Sequence, residues 1–258
     1  MSVTLHRVAA AALVLAAVTL TPSSAAAQPL PPPDSLLDHL DDLYRASSSH
    51  GVMTMTVSKT RLTRELTLEE WSRGQDRALI VIREPAREAG TATLRTEEGL
   101  WNYAPRADRL IRIPTGLLAD SWMGSHFTND DLVRETSWRT DYEATLSWDE
   151  REGQRLIRVS LVPLPEAPVV YSEVRFYVRP DDWVPLRTEY YDEDELVRTM
   201  TFDRIAQVDG RPVPLRIRLV PADAPEEYTE MNYRLLELDV SVPDDLFTQR
   251  GLRRAATG

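Results

Sequence analysis

The sequence contains no cysteine among its 258 residues. This absence excludes disulfide frameworks, thiol nucleophiles, thiolate zinc sites and iron–sulfur clusters. It also excludes lipid attachment to an N-terminal cysteine. Only four histidines are present, and none has an H-x-x-x-H or comparable spacing, so we expect no metal site.

Positive charge is also in deficit, because 30 Lys and Arg face 41 Asp and Glu and give a formal charge of −11. An acidic chain is a poor partner for nucleic acid. The sequence has neither a G-x-x-x-x-G-K-[ST] nor a G-x-G-x-x-G motif, so we expect no nucleotide and no other cofactor. The 42% of apolar residues is ample for a folded core.

Long hydrophobic runs are lacking after the first segment of the chain. Val8–Leu20 is an apolar run of thirteen residues, shorter than the ~20 that span a bilayer. Small residues follow it and end in an A-x-A pattern at Ala25 and Ala27. The pattern predicts a signal peptide over residues 1–27, cleaved near Ala27, and a mature chain without stable membrane insertion.

The mature chain reads as a helix followed by many strands. Residues 28–33 form a Pro-rich linker, and Asp34 is placed to cap a short amphipathic helix. Apolar and polar residues then alternate with a period of two, separated by short turns. We predict a single, mainly β domain over residues 34–253, an antiparallel meander that closes into a barrel or a half-barrel, and a disordered tail over 254–258.

One segment interrupts the strand pattern. Pro114–Glu135 carries large apolar residues without alternation, and Asn129–Asp131 is typical of a helix start. Such a segment must bury its side chains against the sheet. It is either a plug or lid over the barrel mouth or a set of ordinary core helices.

Catalytic signals are weak. Ser125 and His126 are adjacent, but neighbours in sequence rarely point at each other, and the G-x-S-x-G elbow of hydrolases is missing. Carboxylate pairs such as Asp181-Asp182 and Asp244-Asp245 stand where turns or helix starts are expected. The inventory favours a binding or carrier protein over an enzyme, and we name no catalytic residue.

Particular residue strings resemble the LolA-like family of outer-membrane lipoprotein-sorting proteins. The resemblance rests on W-x-Y-x-P from Trp101, on M-G-S-x-F from Met123 and on D-D-L-F-T from Asp244. It runs in the same order from about residue 40 to about residue 253. Gly124, Ser125, Asp131 and Leu132 belong to the family motif. This chain has His126 where the family leads us to expect an acidic residue, which leaves the role of that position open.

The resemblance implies an incomplete antiparallel β-barrel, or half-barrel, of about 11 strands with a few helices over its apolar concave face. It also implies that the apolar cavity carries acyl chains across the periplasm. The candidate wall residues of that cavity are large and apolar, and their strand parity is a choice that a one-residue slip would invert. They are Met53, Met55, Leu66, Leu68, Leu79, Val81, Trp101, Tyr103, Leu117, Leu118, Trp122, Met123 and Phe127.

The functional expectation is therefore a non-enzymatic, monomeric carrier in the periplasm. It would receive lipoprotein or lipid acyl chains from an inner-membrane transporter and deliver them toward the outer membrane. One alternative is an envelope scaffold that binds a protein partner without lipid. The other is a secreted serine hydrolase that uses Ser125 and His126. The identity of the cargo and of the transporter is left open.

Overall fold

The computed structural model describes residues 29–42, 46–74, 76–133, 138–165, 167 and 169–258. The predicted signal peptide lies outside the described residues. No helix within the described ranges is long and apolar enough to cross a membrane.

Thirteen strands and three α-helices make up the described chain, and four short 3₁₀ turns accompany them. The helices are α1 (Pro33–Asp42), α2 (Asp130–Val133) and α3 (Gln249–Thr257). The strands are β1 (Ser48–Lys59), β2 (Leu62–Arg73), β3 (Arg77–Glu84), β4 (Ala92–Thr96), β5 (Gly99–Ala104), β6 (Arg109–Arg112), β7 (Tyr142–Arg151), β8 (Gln154–Pro163), β9 (Glu173–Val178), β10 (Pro185–Asp192), β11 (Glu195–Val208), β12 (Arg211–Pro221) and β13 (Tyr228–Leu238).

All strands join one antiparallel sheet in the order β6-β5-β4-β3-β2-β1-β13-β12-β11-β10-β9-β8-β7. The sheet is open, because β6 and β7 stand at its two edges and the described residues form no ladder between them. The mainly β, incomplete-barrel prediction is therefore confirmed. The sheet has thirteen strands, two more than the expected number of about 11.

The two faces of the sheet carry different elements. We call the face that packs against α1 and the segment 114–133 the inner face. Two core clusters meet there, because Met200 contacts both and lies directly opposite Leu219 in the ladder. We call the other face, against which α3 packs, the outer face. Away from the register shifts between neighbouring strands, side chains alternate between these faces.

Helix α1 packs on the inner face at the β7–β10 end. Its apolar positions Leu36, Leu37 and Leu40 are almost fully buried against residues such as Val159 and Phe176. This is the spacing expected of an amphipathic helix. The helix begins at Pro33, so Asp34 lies in its first turn rather than at its cap, and Pro33 belongs to the helix rather than to the linker.

The predicted disordered tail is wrong, because residues 249–257 form α3. The Thr248 hydroxyl accepts a hydrogen bond from the Gly251 amide and caps the helix. Leu252 is fully buried on the outer face beside Leu79 and Val81. Sequence alone missed this helix because its polar surface is rich in arginine and its apolar stripe is narrow.

Candidate functional site

The floor of the candidate site is a row of apolar side chains across the inner face. Met55 lies opposite Leu66 on β2 and opposite Met231 on β13, which in turn lies opposite Ile217 on β12. Residues directly opposite one another point to the same face. Met55 and Leu66 are fully buried, whereas Met231 and Ile217 are only half-buried.

The segment 114–133, here called the cover segment, lies over this floor. Its centre is a turn in which the Trp122 amide donates to the Phe127 carbonyl at 2.8 Å. Met123 and Gly124 both have positive φ, of 49° and 71°, which lets the chain reverse there. The turn directs the Trp122 and Phe127 side chains into the inner-face cluster.

Trp122 anchors the cover segment. Only 1% of its surface is exposed, and its indole Nε1 donates to the Thr93 hydroxyl at 3.1 Å. A buried indole requires such a partner for its N–H. Trp122 and Phe127 thus fill the space above Met53, Met55 and Leu68, so in this structure the floor below them is covered by protein side chains.

His126 fastens the turn to β13 and to the loop before it. Thr229 Oγ1 accepts from the His126 amide at 2.9 Å and also lies 2.9 Å from the ring Nδ1. On the other side of the ring, Nε2 faces the Glu227 carboxylate, which only accepts, so Nε2 carries a proton. Nε2 then donates to Glu227 at 3.2 Å. Hydrogen bonds from Thr60, followed by that from His126, lower the pKa of Glu227 to about 2.

A second fastening joins the end of the cover segment to β11. Arg198 donates two hydrogen bonds to Asp131, at 2.6 and 2.8 Å, and the Thr128 amide and hydroxyl also donate to that carboxylate. Burial acts to raise the pKa of Asp131, but the hydrogen bonds and charge of Arg198 outweigh it and the pKa lies below its ordinary value. The Arg198 guanidinium stacks 4.4 Å from the Tyr190 ring centroid.

A third polar contact comes from β2. Arg64 Nη1 donates to the Met123 carbonyl at 2.9 Å and also pairs with Glu88. The cover segment is therefore held by apolar packing at its centre and by polar groups of β2, β11 and β13 at its rim.

A groove opens beside these fastenings. Its volume is about 590 Å³, and it lies between the cover segment and the β10–β11 turn. His126 and Thr128 of the cover segment line it together with Leu219 and Arg198, and acidic side chains of the β10–β11 turn also line it. The groove thus borders the inner face at the place where the cover segment is fastened.

The structure separates the predicted cavity wall into three groups. Seven residues meet on the inner face: Met53, Met55, Leu66, Leu68, Trp122, Met123 and Phe127. Four point to the outer face and pack with α3 and the turn before it: Leu79, Val81, Trp101 and Tyr103. Leu117 is 46% exposed and Leu118 is half-buried, and neither belongs to the three core clusters.

The wrong parity in β3 and β5 has a physical cause. Both faces of β3 are covered, the inner by the cover segment and the outer by α3, so Leu79, Ile80, Val81 and Ile82 are all apolar. A strand buried on both sides shows no alternation that could reveal its orientation. Ile80 and Ile82, which sequence reasoning passed over, are the inner-face residues.

Sequence reasoning also missed the contribution of β11, β12 and β13. Met200, Ile217, Leu219, Met231 and Tyr233 belong to the inner-face cluster or pack against it. Ile217 and Leu219 are separated by a polar residue, as are Met231 and Tyr233. This alternation is a sequence signal that places each pair on one face of the sheet. The polar partners of the cover segment, Arg198 and Thr229 among them, had no sequence signal because they lie 67 and 103 residues from Asp131 and His126.

The residues of the family motif have structural roles here. Gly124 forms part of the turn, Leu132 packs against the inner-face cluster and Asp131 holds Arg198. Ser125 is buried, and its hydroxyl donates to the Trp122 carbonyl at 2.7 Å. Because the His126 ring bonds instead to Thr229 and Glu227, the structure does not assemble Ser125 and His126 into a nucleophile–base pair.

The open thirteen-stranded antiparallel sheet with a covered inner face is a LolA-like fold. A family model with the description "-like: Uncharacterized protein" matches residues 74–254. Because this is more than half of the chain, the chain belongs to that family. A search of curated proteins finds no match.

Solved structures with the same fold agree with this class. A DUF1329 family protein from Desulfovibrio piger has a TM-score of 0.77 and 23% identity, over 85% of this chain and 97% of that one. A putative outer membrane lipoprotein-sorting protein domain from Vibrio parahaemolyticus has a TM-score of 0.73 and 20% identity, over 86% and 100%. The LolA superfamily protein NE2245 from Nitrosomonas europaea has a TM-score of 0.68 and 22% identity, over 85% and 98%.

Proposed function

We propose that this protein is a periplasmic carrier that binds acyl chains of a lipoprotein or a lipid between its inner face and the cover segment. The observation that carries the proposal is the construction of that segment. It lays Trp122 and Phe127 on an apolar floor, yet it is fastened at its rim by polar contacts. Such a segment can be displaced while the sheet stays folded.

The free energies of apolar burial favour replacement of the cover segment by a ligand on the inner face. Withdrawing one large apolar side chain from the floor costs about 1.5–3 kcal/mol. Burying an acyl chain of ~16 carbons contributes ~0.8 kcal/mol per methylene, or on the order of 10 kcal/mol. An acyl chain therefore offsets the loss of Trp122 and Phe127 from the floor, and loss of the chain returns the cover segment to the arrangement described here.

The carrier would act as a monomer that takes its cargo from an inner-membrane transporter and releases it toward the outer membrane. Its acidic surface gives no electrostatic attraction to anionic membranes, so binding depends on the apolar inner face. The fold of the lipoprotein-sorting relatives supports this assignment. No covalent chemistry is required, and we propose none.

The experiment has two parts. Protein purified from its native envelope is extracted with organic solvent, and the extract is analysed by mass spectrometry for acylated molecules. The same protein without ligand is then titrated with a fluorescent fatty acid, with palmitic acid as competitor. We expect a bound acyl species in the extract and saturable, competable fluorescence. The absence of both would exclude the carrier.

A second candidate is an envelope scaffold that binds a protein and no lipid. It is favoured by one observation, namely that Met55, Leu66 and Leu68 are fully buried beneath Trp122 in this structure. The two candidates differ in the titration. A scaffold gives no fatty-acid binding even when the cover fastening is broken by Asp131→Asn, whereas a carrier binds more rapidly in that variant.

A further inference from the structure

One polar group interrupts the apolar floor of the inner face. On β2 the inner-facing positions run Leu66, Leu68 and then Glu70. Glu70 lies opposite Gly51 on β1 and opposite Ile80 on β3. A carboxyl group in such surroundings loses hydration and needs hydrogen-bond partners in exchange.

Glu70 is only partly compensated. The Tyr233 hydroxyl donates to its Oε1 at 2.8 Å, and the second oxygen, Oε2, has no hydrogen bond to any residue that the structure describes. Burial raises the pKa of Glu70, against the opposing effects of the Tyr233 hydrogen bond and the charge of His50. The Glu70 side chain is half-buried and keeps some accessible surface.

Space for this pair is provided by Gly51. A Cβ at position 51 would stand 3.0 Å from Glu70 Oε1 and 3.1 Å from the Tyr233 ring, which is tighter than ordinary contact. The φ of Gly51 lies outside the left-handed region, so backbone conformation does not require glycine here. Glycine is required because the Glu70 carboxyl and the Tyr233 ring approach this position so closely.

The pair lies far from the groove beside the cover segment. Leu219 in the groove is opposite Thr229, which is opposite Val57 on β1, whereas Glu70 is opposite Gly51. The six-residue separation along β1 (57 − 51) corresponds to about 20 Å at ~3.3 Å per residue. Once the cover segment is displaced, a long chain that has its head in the groove and runs along β1 would bring its far end to Glu70.

From this geometry we infer that Glu70 and Tyr233 form a polar subsite that hydrogen-bonds a hydroxyl group on the far part of a lipid bound to the inner face. The inference rests on the proposed function. A hydroxyl both donates and accepts, so it complements the carboxyl whether that group is ionised or neutral, whereas an ammonium group requires the ionised form. The cargo class is therefore a hydroxylated acyl chain.

The test compares palmitic acid with ω-hydroxypalmitic acid, two probes that differ only in the terminal hydroxyl. Dissociation constants are measured by calorimetry for the wild-type protein and for Glu70→Leu and Glu70→Gln. We expect the wild type to bind the hydroxylated acid about three- to tenfold more tightly, as one additional buried hydrogen bond allows. Glu70→Leu abolishes this preference and keeps palmitic acid binding, and Glu70→Gln retains most of it.

Controls separate the possible failures. Glu65→Leu, on the exposed outer side of the same strand, leaves the preference unchanged. Equal binding of both acids to the wild type means that water satisfies Glu70, which overturns the subsite and leaves the carrier standing. Binding of neither acid overturns the carrier as well. The wild-type comparison decides the matter even where Glu70→Leu does not fold.

Discussion

Asp131 and Arg198 form a bidentate ion pair that joins the cover segment to strand β11. The two residues are 67 positions apart in the chain, and their hydrogen bonds measure 2.6 and 2.8 Å. The Arg198 side chain is 7% exposed and that of Asp131 is 18% exposed. This largely buried pair therefore fastens the end of the cover segment to the sheet.

Replacing one partner of the Asp131–Arg198 pair tests how much the pair contributes to the free energy of unfolding. We expect Asp131→Asn to lower the free energy of unfolding by about 3 kcal/mol, because Arg198 is left buried without its counter-charge. The double variant Asp131→Leu with Arg198→Met is expected to be less destabilised than Asp131→Asn alone. Urea unfolding of the three proteins measures both values. An Asp131→Asn protein as stable as wild type would contradict the assignment.

Trp122 and Leu117 provide a matched pair within the cover segment. Trp122→Ala removes a fully buried side chain and a hydrogen bond to Thr93, and we expect a loss of about 3–5 kcal/mol. Leu117→Ala changes a side chain that is 46% exposed, and its effect stays within about 0.5 kcal/mol. Thermal unfolding distinguishes the two. Similar losses would mean that Trp122 does not anchor the segment.

The C-terminal helix gives a third prediction. Leu252→Ala leaves a cavity on the outer face beside Leu79 and lowers the free energy of unfolding by about 2–4 kcal/mol. Arg254→Ala, with a side chain that is 59% exposed, is the control and stays within about 0.5 kcal/mol. If Leu252→Ala is as neutral as its control, residues 249–257 do not pack as the structure shows.

His50 makes stability depend on pH. Its ring nitrogens lie 2.9 Å from Glu69 and 3.0 Å from Glu237; burial acts to lower its pKa, but hydrogen bonds to Glu237 and Glu69 outweigh burial and raise it. A raised pKa means that the stabilisation is complete below about pH 6.5, the unfolded value, and is lost as pH rises through the folded value.

The measurement compares wild type with His50→Gln. We expect the melting temperature of the wild type to exceed that of His50→Gln by more at pH 5.5 than at pH 8.5. His39→Gln serves as the control for general effects of losing a histidine, because no carboxylate is paired with that ring in the described structure. A difference that is the same at both pH values would show that His50 gains no charge-dependent stabilisation from Glu69 and Glu237.

Much of the fold could be predicted from local patterns. Alternation along β1 and β2 placed Met53, Met55, Leu66 and Leu68 on one face because the opposite positions there are polar. Alternation failed in β3, where Leu79 and Val81 were assigned to the inner face although they lie on the outer one. The reason is that α3 covers the outer face of β3, and the sequence of β3 itself does not indicate that a distant helix packs there.

The sequence by itself determined the class of fold, since the period-two pattern, the short turns and the family strings all depend on residues near one another in the chain. Only the tertiary structure decided which residues form the site. The partners of the cover segment, Arg198 and Thr229, and the pairing of Glu70 with Tyr233 across 163 positions arise from strand order and register. Register depends on the sum of many weak long-range contacts, so no single segment encodes it.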